Sequence, residues 1–294
     1  MRLSRTLALV IAWAATGSVL LRAGQQGSGQ TPSPFPLSNP IRERGSSITP
    51  AYEGWYAESD GSIRLLVGYF NRNTQQTLDI PAGPNNRVEP GGPDQGQPTH
   101  FLTSRQWGVF TIKVPKDFGD KKLTWTIVAN GYTNTVTLHT KKDWLIEPFL
   151  DAASKNTPPV VRFAADGKPF SGPPASVSAT YSAVAGQPLS LTTWATDDVA
   201  KVNAEGSRGF TAPTPPLVIS WSKFRGPGDV TFSQNRPTLD RENGGKATTT
   251  ATFATPGDYI LRVQANDASG EGGGGFQCCW TNAHVAVTVN GPTK

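Results

Sequence analysis

Residues 256–289 read PGDYILRVQANDASGEGGGGFQCCWTNAHVAVTV, and the fold is decided there. Tyr259, Leu261 and Val263 alternate with polar or smaller neighbours, and a second alternating run closes the stretch. A period of two sends successive side chains to opposite faces, the signature of a strand with one face buried. Between the two strands lie a glycine-rich loop and the chain's only two cysteines, Cys278 and Cys279.

Working outward, seven strands can be placed in the second half: residues 160–164, 179–184, 188–196, 217–224, 247–254, 258–265 and 280–289. Leu217, Ile219 and Trp221 face inward together. Trp221 stands where an immunoglobulin-like sandwich keeps its core tryptophan on the third strand, and Tyr259 where it keeps its corner tyrosine. With these residues placed, GQPLSLTTWATDD (186–198), ISWSKFRGPGDVTFS (219–233), TATFATPGDYILRVQANDASG (250–270) and VAVTVN (285–290) resemble a PKD-type immunoglobulin-like domain of extracellular bacterial proteins. The resemblance covers residues of about 157–291. It departs from the family in an insertion between Val199 and Pro216, in FQCCW, and in lacking a WDFGDG string. It implies a sandwich that serves as spacer, adhesive module or partner-binding unit.

The first half repeats the pattern with runs at residues 53–56, 62–70, 76–80, 108–114, 123–129 and 133–139, the last two joined by Asn130-Gly131, a hairpin turn signal. No helical period interrupts them, so the whole chain is predicted to be all-β, two sandwiches in tandem. The Pro- and Gly-rich residues 81–101 read either as a functional loop or as a connection pinned by prolines. With GYFNRN before it and WGVFTIKVP after it, the string resembles a segment that recurs in uncharacterised exported bacterial proteins, with no activity attached. The expected layout is a signal peptide at 1–24, a disordered leader at 25–50, a first sandwich at 51–142, a linker at 143–158 and a second sandwich at 159–294.

Arg2 and Arg5 ahead of an apolar run ending near Leu21 make the signal-peptide pattern, too short for a comfortable membrane span. Removing its three arginines from the 27 basic residues leaves 24 against 22 acidic ones, a balance that argues against nucleic-acid binding. No later stretch is apolar enough to cross a bilayer.

Catalytic motifs are absent: no Gly-x-Ser-x-Gly elbow, no His-Glu-x-x-His, and no phosphate-cradling loop. The expectation is therefore a non-enzymatic protein. Asp197, Asp198, Asn266 and Asp267 end two strands at one pole of the second sandwich, where oxygens could hold Ca2+; Asp151 or Asn156 could join them only if the linker folds back across that pole. Ordinary turn chemistry explains the same residues.

For Cys278 and Cys279 the alternatives are a bond between neighbours, which needs a local turn, two free thiols, or an intermolecular bridge; an oxidising compartment favours the first. Phe276, Trp280 and Trp144 are the aromatic candidates for stacking on a ligand. The predicted function is a secreted binding or structural module at the bacterial cell exterior, of adhesive type, engaging a protein or glycan through residues 81–101 and 270–280. The alternative is an accessory domain of an extracellular enzyme, or a small hydrolase using loop carboxylates with Asp94 or His100.

Overall fold

A computed structural model describes residues 40–152, 155–198, 217–267 and 279–292. These residues form sixteen strands and one 3-10 turn. The first sandwich contains β1 (Ile48–Ala57), β2 (Ile63–Asn71), β3 (Leu78–Asp79), β4 (Asn86–Glu89), β5 (His100–Phe101), β6 (Ser104–Val114), β7 (Leu123–Ala129) and β8 (Tyr132–Leu138). One sheet runs β1-β2-β6 and the other β4-β7-β8, with β3-β5 as a short ribbon. Leu65, Val67, Phe110, Ile112, Trp125 and Ile127 interleave between them as the core. The turn at Asn130-Gly131 joins β7 to β8 in the expected hairpin.

The second sandwich contains β9 (Val160–Arg162), β10 (Val177–Val184), β11 (Pro188–Thr196), β12 (Val218–Arg225), β13 (Val230–Phe232), β14 (Lys246–Phe253), β15 (Gly257–Asn266) and β16 (Trp280–Asn290). Its sheets run β10-β16-β15-β12 and β13-β14-β11-β9, with β10 parallel to β16. Both sandwiches lie in one unit, Asn39–Lys294. Trp221 is buried in the second core and Tyr259 packs against Phe253 at 4.9 Å. The Tyr259 hydroxyl donates to the Thr255 carbonyl at 2.8 Å, closing the tyrosine corner. Gly226 is what lets the ring lie there, because a Cβ at that position would enter the ring.

Three departures from the sequence-based expectation have local causes. The leader was expected to run to residue 50, yet β1 starts at Ile48, and Ser46 and Ser47 are buried. Side-chain amides hold this stretch where apolar groups are scarce: Asn73 accepts from the Ser46 N–H at 2.6 Å, and Asn73 and Asn130 donate to the Ser46 carbonyl at 2.9 and 2.8 Å. The expected signal peptide and the rest of the leader lie outside the described residues.

Within residues 81–101, β4 adds a strand to β7, and Asn86 anchors the surrounding loop by donating to the Ile80 and Pro98 carbonyls while accepting from the Trp125 indole. The linker is also not free. Its 3-10 turn (Lys142–Trp144) leads into a bridge between Leu145 and Trp55, and the Ile146 N–H donates to the Trp55 carbonyl at 2.9 Å. No helix among the described residues is long and apolar enough to cross a membrane.

Candidate functional site

The alternation that buries Tyr259, Leu261 and Val263 turns Arg262, Gln264, Asn282 and His284 to the opposite face of the β10-β16-β15-β12 sheet. In an isolated sandwich that face would meet water. Here it meets β6 of the first sandwich, and β6 is shaped for the purpose. Its register against β2 jumps from Val67↔Phe110 to Tyr69↔Gln106, so Trp107, Gly108 and Val109 bulge out of the ladder.

The bulge turns three successive carbonyls toward the second sandwich. Asn282 donates to the Trp107 and Gly108 carbonyls at 3.2 and 3.1 Å. The Arg262 guanidinium, 3 % exposed as a residue, donates to Gln106 and to Asn282, both at 2.7 Å. His284 Nε2 lies 3.0 Å from the Val109 carbonyl, which can only accept, so that nitrogen carries the proton. Burial lowers the His284 pKa to about 4, and the charges of Arg262 and Arg225 push the same way. Beneath the bulge, buried Glu53 accepts from the Gly108 N–H at 2.8 Å and pairs with Arg105 at 2.8 Å. Burial raises its pKa more than Arg105 and the N–H lower it.

Trp280 was expected at the surface and is instead 1 % exposed, its ring laid on Gly108. Gly108 has φ +49° and a Cβ there would overlap the indole, so the contact requires glycine. This corrects the assignment of Trp280 as a stacking residue: its even position in β16 faces the seam. Phe276 and Cys278 lie outside the described residues, as do residues 270–277 of the expected loop surface. Cys279 is buried and disulfide-bonded, no cysteine among the described residues is free, and its Sγ lies 3.3 Å from the Asn156 carbonyl. Trp144 is 42 % exposed, one face stacked on Tyr52 at 5.1 Å.

The linker does fold back across the pole that carries the acidic residues. Asn156 donates to Asp267, and the Thr157 hydroxyl donates to Asp198 at 2.9 Å. Among the described residues no three His, Cys, Asp or Glu side chains gather as metal ligands. Asp267 and Asp198 hold the linker, and Asn266 lies on the Arg262 side of β15 by strand alternation.

The two loop residues proposed for hydrolysis, Asp94 and His100, bind different partners. Asp94 makes a two-point ion pair with Arg225 at 2.7 and 3.1 Å, which ties residues 81–101 to the second sandwich. His100 Nδ1 sits 3.0 Å from Asp79, so a histidine–carboxylate pair is present. Lys223 closes on the same carboxylate at 2.8 Å. Among the described residues no side-chain hydroxyl is hydrogen-bonded to the imidazole.

Between this cluster and the bulge opens a cleft of about 490 Å3, lined by His100, Gln106, Lys223, Asp229, Arg236 and Arg262 among others. Its walls come from both sandwiches. Sequence alone did not assemble it, because Arg262 and Gln264 look like the wet side of a strand until their partner is known.

Two sheets, antiparallel except where β10 pairs parallel to the last strand β16, a core tryptophan on β12 and a tyrosine corner at the head of β15 define an immunoglobulin-like second sandwich. No family model and no curated protein matches the chain. Among solved structures, the titin M10–obscurin-like 1 Ig complex is 17 % identical, covering 46 % of this chain and 99 % of that one with a TM-score of 0.23. The D00-D0 domain of intimin is 11 % identical over 83 % of this chain and 100 % of its own, with a TM-score of 0.27. Domains 4 and 5 of the S-layer protein SbsC are 11 % identical over 58 % and 65 %, with a TM-score of 0.22.

Proposed function

We propose that this chain is an exported, non-enzymatic binding or structural module of the bacterial cell exterior, its second sandwich of PKD type, engaging a protein or glycan in the cleft where the sandwiches meet. The observation that carries the reading is the cleft itself: about 490 Å3 of space bordered by hydrogen-bonding and cationic side chains, on walls that the bulge contacts hold in place. A preformed concave site with a few fixed polar groups is the usual form of a ligand site.

The test is a glycan array together with capture from a native cell envelope, comparing wild type with Arg236→Ala at the cleft and Trp144→Ala outside it. Arg236→Ala is expected to weaken binding by about tenfold or more, a loss of about 1.4 kcal/mol, and Trp144→Ala to leave it unchanged. Loss with Trp144→Ala alone would move the site out of the cleft, and release of cleaved glycan would overturn the non-enzymatic reading.

A further inference from the structure

The second sandwich has four sheet edges, and three are protected. β12 is covered where its Trp221 N–H donates to the Asn235 carbonyl at 2.8 Å and its Phe224 carbonyl accepts from the Thr99 N–H at 3.1 Å. β9 and β13 are three residues each, and Phe170 bridges β9 at Val161. Short or covered edges are the ordinary defence against unwanted strand pairing.

β10 has no such defence. It is eight residues long, pairs on one side only with β16, and no hydrogen bond reaches its outer side among the described residues. The Ala185 N–H donates to the Asn290 carbonyl at 2.9 Å, just past the β10–β16 ladder. In a parallel ladder every second residue bonds the neighbour through both main-chain groups, so Ala183 and Tyr181 face β16 and Ser182 and Thr180 turn their N–H and C=O groups outward. Residues 169–196 contain no charged side chain, so β10 carries none of the lysines or inward charges that keep natural edges apart. Beside it the flank between the sheets is unsealed: a groove of about 510 Å3 runs along Val177–Tyr181, lined also by Phe163, Lys168 and Phe170.

We infer that the β10 edge is a strand-addition surface whose occupant is the β10 edge of a second copy of this chain. The sequence complements itself about Tyr181. With a two-fold axis through that position, Thr180 of one copy lies opposite Ser182 of the other. Both are outward-bonding residues, so each pair exchanges two main-chain hydrogen bonds, as an antiparallel ladder requires. The two Tyr181 side chains become a cross-strand aromatic pair at the mouth of the groove, and the facing hydroxyl side chains are small enough for close approach. A neutral strand meets no repulsion from its own copy, and a two-fold contact closes on itself without propagating into a fibre.

One strand pairing falls at the small end of interface sizes, so the dimer is expected to be weak and in exchange. Sedimentation of the purified protein over a concentration series should show a reversible monomer–dimer equilibrium, with the Thr180 and Ser182 amides gaining hydrogen-exchange protection as concentration rises. Thr180→Pro removes an outward N–H that the monomer does not use, which an edge strand tolerates. It is expected to weaken dimerisation by about tenfold or more, each lost hydrogen bond contributing modestly. Ser182→Lys, which leaves the backbone intact, should do the same. A wild-type chain that stays monomeric throughout, or dimerises equally in both variants, overturns the inference. So does dimerisation without added protection at those two amides.

Discussion

Lowering the pH should loosen the contact between the two sandwiches, and His284 sets the size of the effect. Its imidazole titrates at 6.5 when free and at about 4 in the folded protein, because burial disfavours the charged form and Arg262 and Arg225 stand nearby. Between those values the unfolded chain binds the extra proton, so stability is full above pH 6.5 and falls as pH drops toward 4. At 1.36 kcal/mol per pH unit the full gap is worth about 3 kcal/mol, an upper figure because the ring keeps some solvent contact, and about 2 kcal/mol is lost by about pH 5. His100, whose pKa burial also lowers, acts in the same direction. Glu53 acts in the opposite one: its raised pKa makes the folded state take up a proton before the unfolded chain does, an effect that sets in above the ordinary carboxylate range as pH falls.

Urea unfolding between about pH 7.5 and about pH 5 measures the loss, and His284→Gln keeps a donor for the Val109 carbonyl while removing the titration. The variant should be less stable than wild type at neutral pH but flatter with pH. Equal pH slopes for the two proteins would refute the argument.

Gly108→Ala forces a Cβ into the Trp280 ring from a left-handed backbone position; the two penalties together should cost about 2–4 kcal/mol, with tryptophan emission shifting red as the indole leaves the seam. A change below about 0.5 kcal/mol in urea would remove the bulge from its assigned role. Tyr259→Phe should lose about 1–2 kcal/mol, since the Thr255 carbonyl forfeits its 2.8 Å donor while the ring still packs on Phe253. Unchanged thermal unfolding in that variant would show the corner bond to be dispensable.

The strands were readable because alternation in runs such as residues 62–70 and 258–265 has one physical solution, a half-buried strand. β4 and β13 were not, being three or four residues long among prolines and glycines, with pairing set by partners distant in sequence. The site was legible in pieces. His100, Asp94 and the linker's return through Asn156 were flagged by residue type, yet the partners that fix the roles of the first two, Asp79, Lys223 and Arg225, come from other elements. Trp280 was misassigned because its neighbours in sequence are loop residues. Its neighbour in space is Gly108, and the only trace of that contact in the sequence is a glycine within an otherwise regular strand.

The parallel pairing of β10 with β16 bears on how the second sandwich would respond to a pulling force. The linker leads into β9, β10 follows it and β16 ends at Asn290, so once the three-residue β9 has parted from β11, tension applied across this sandwich drags β10 and β16 in opposite directions along their common axis. The hydrogen bonds from Ala179 to Val184 then share the load in shear and must give way together, whereas an antiparallel hairpin pulled at its open end parts one rung at a time. Mechanical toughness would come from this one pair of strands.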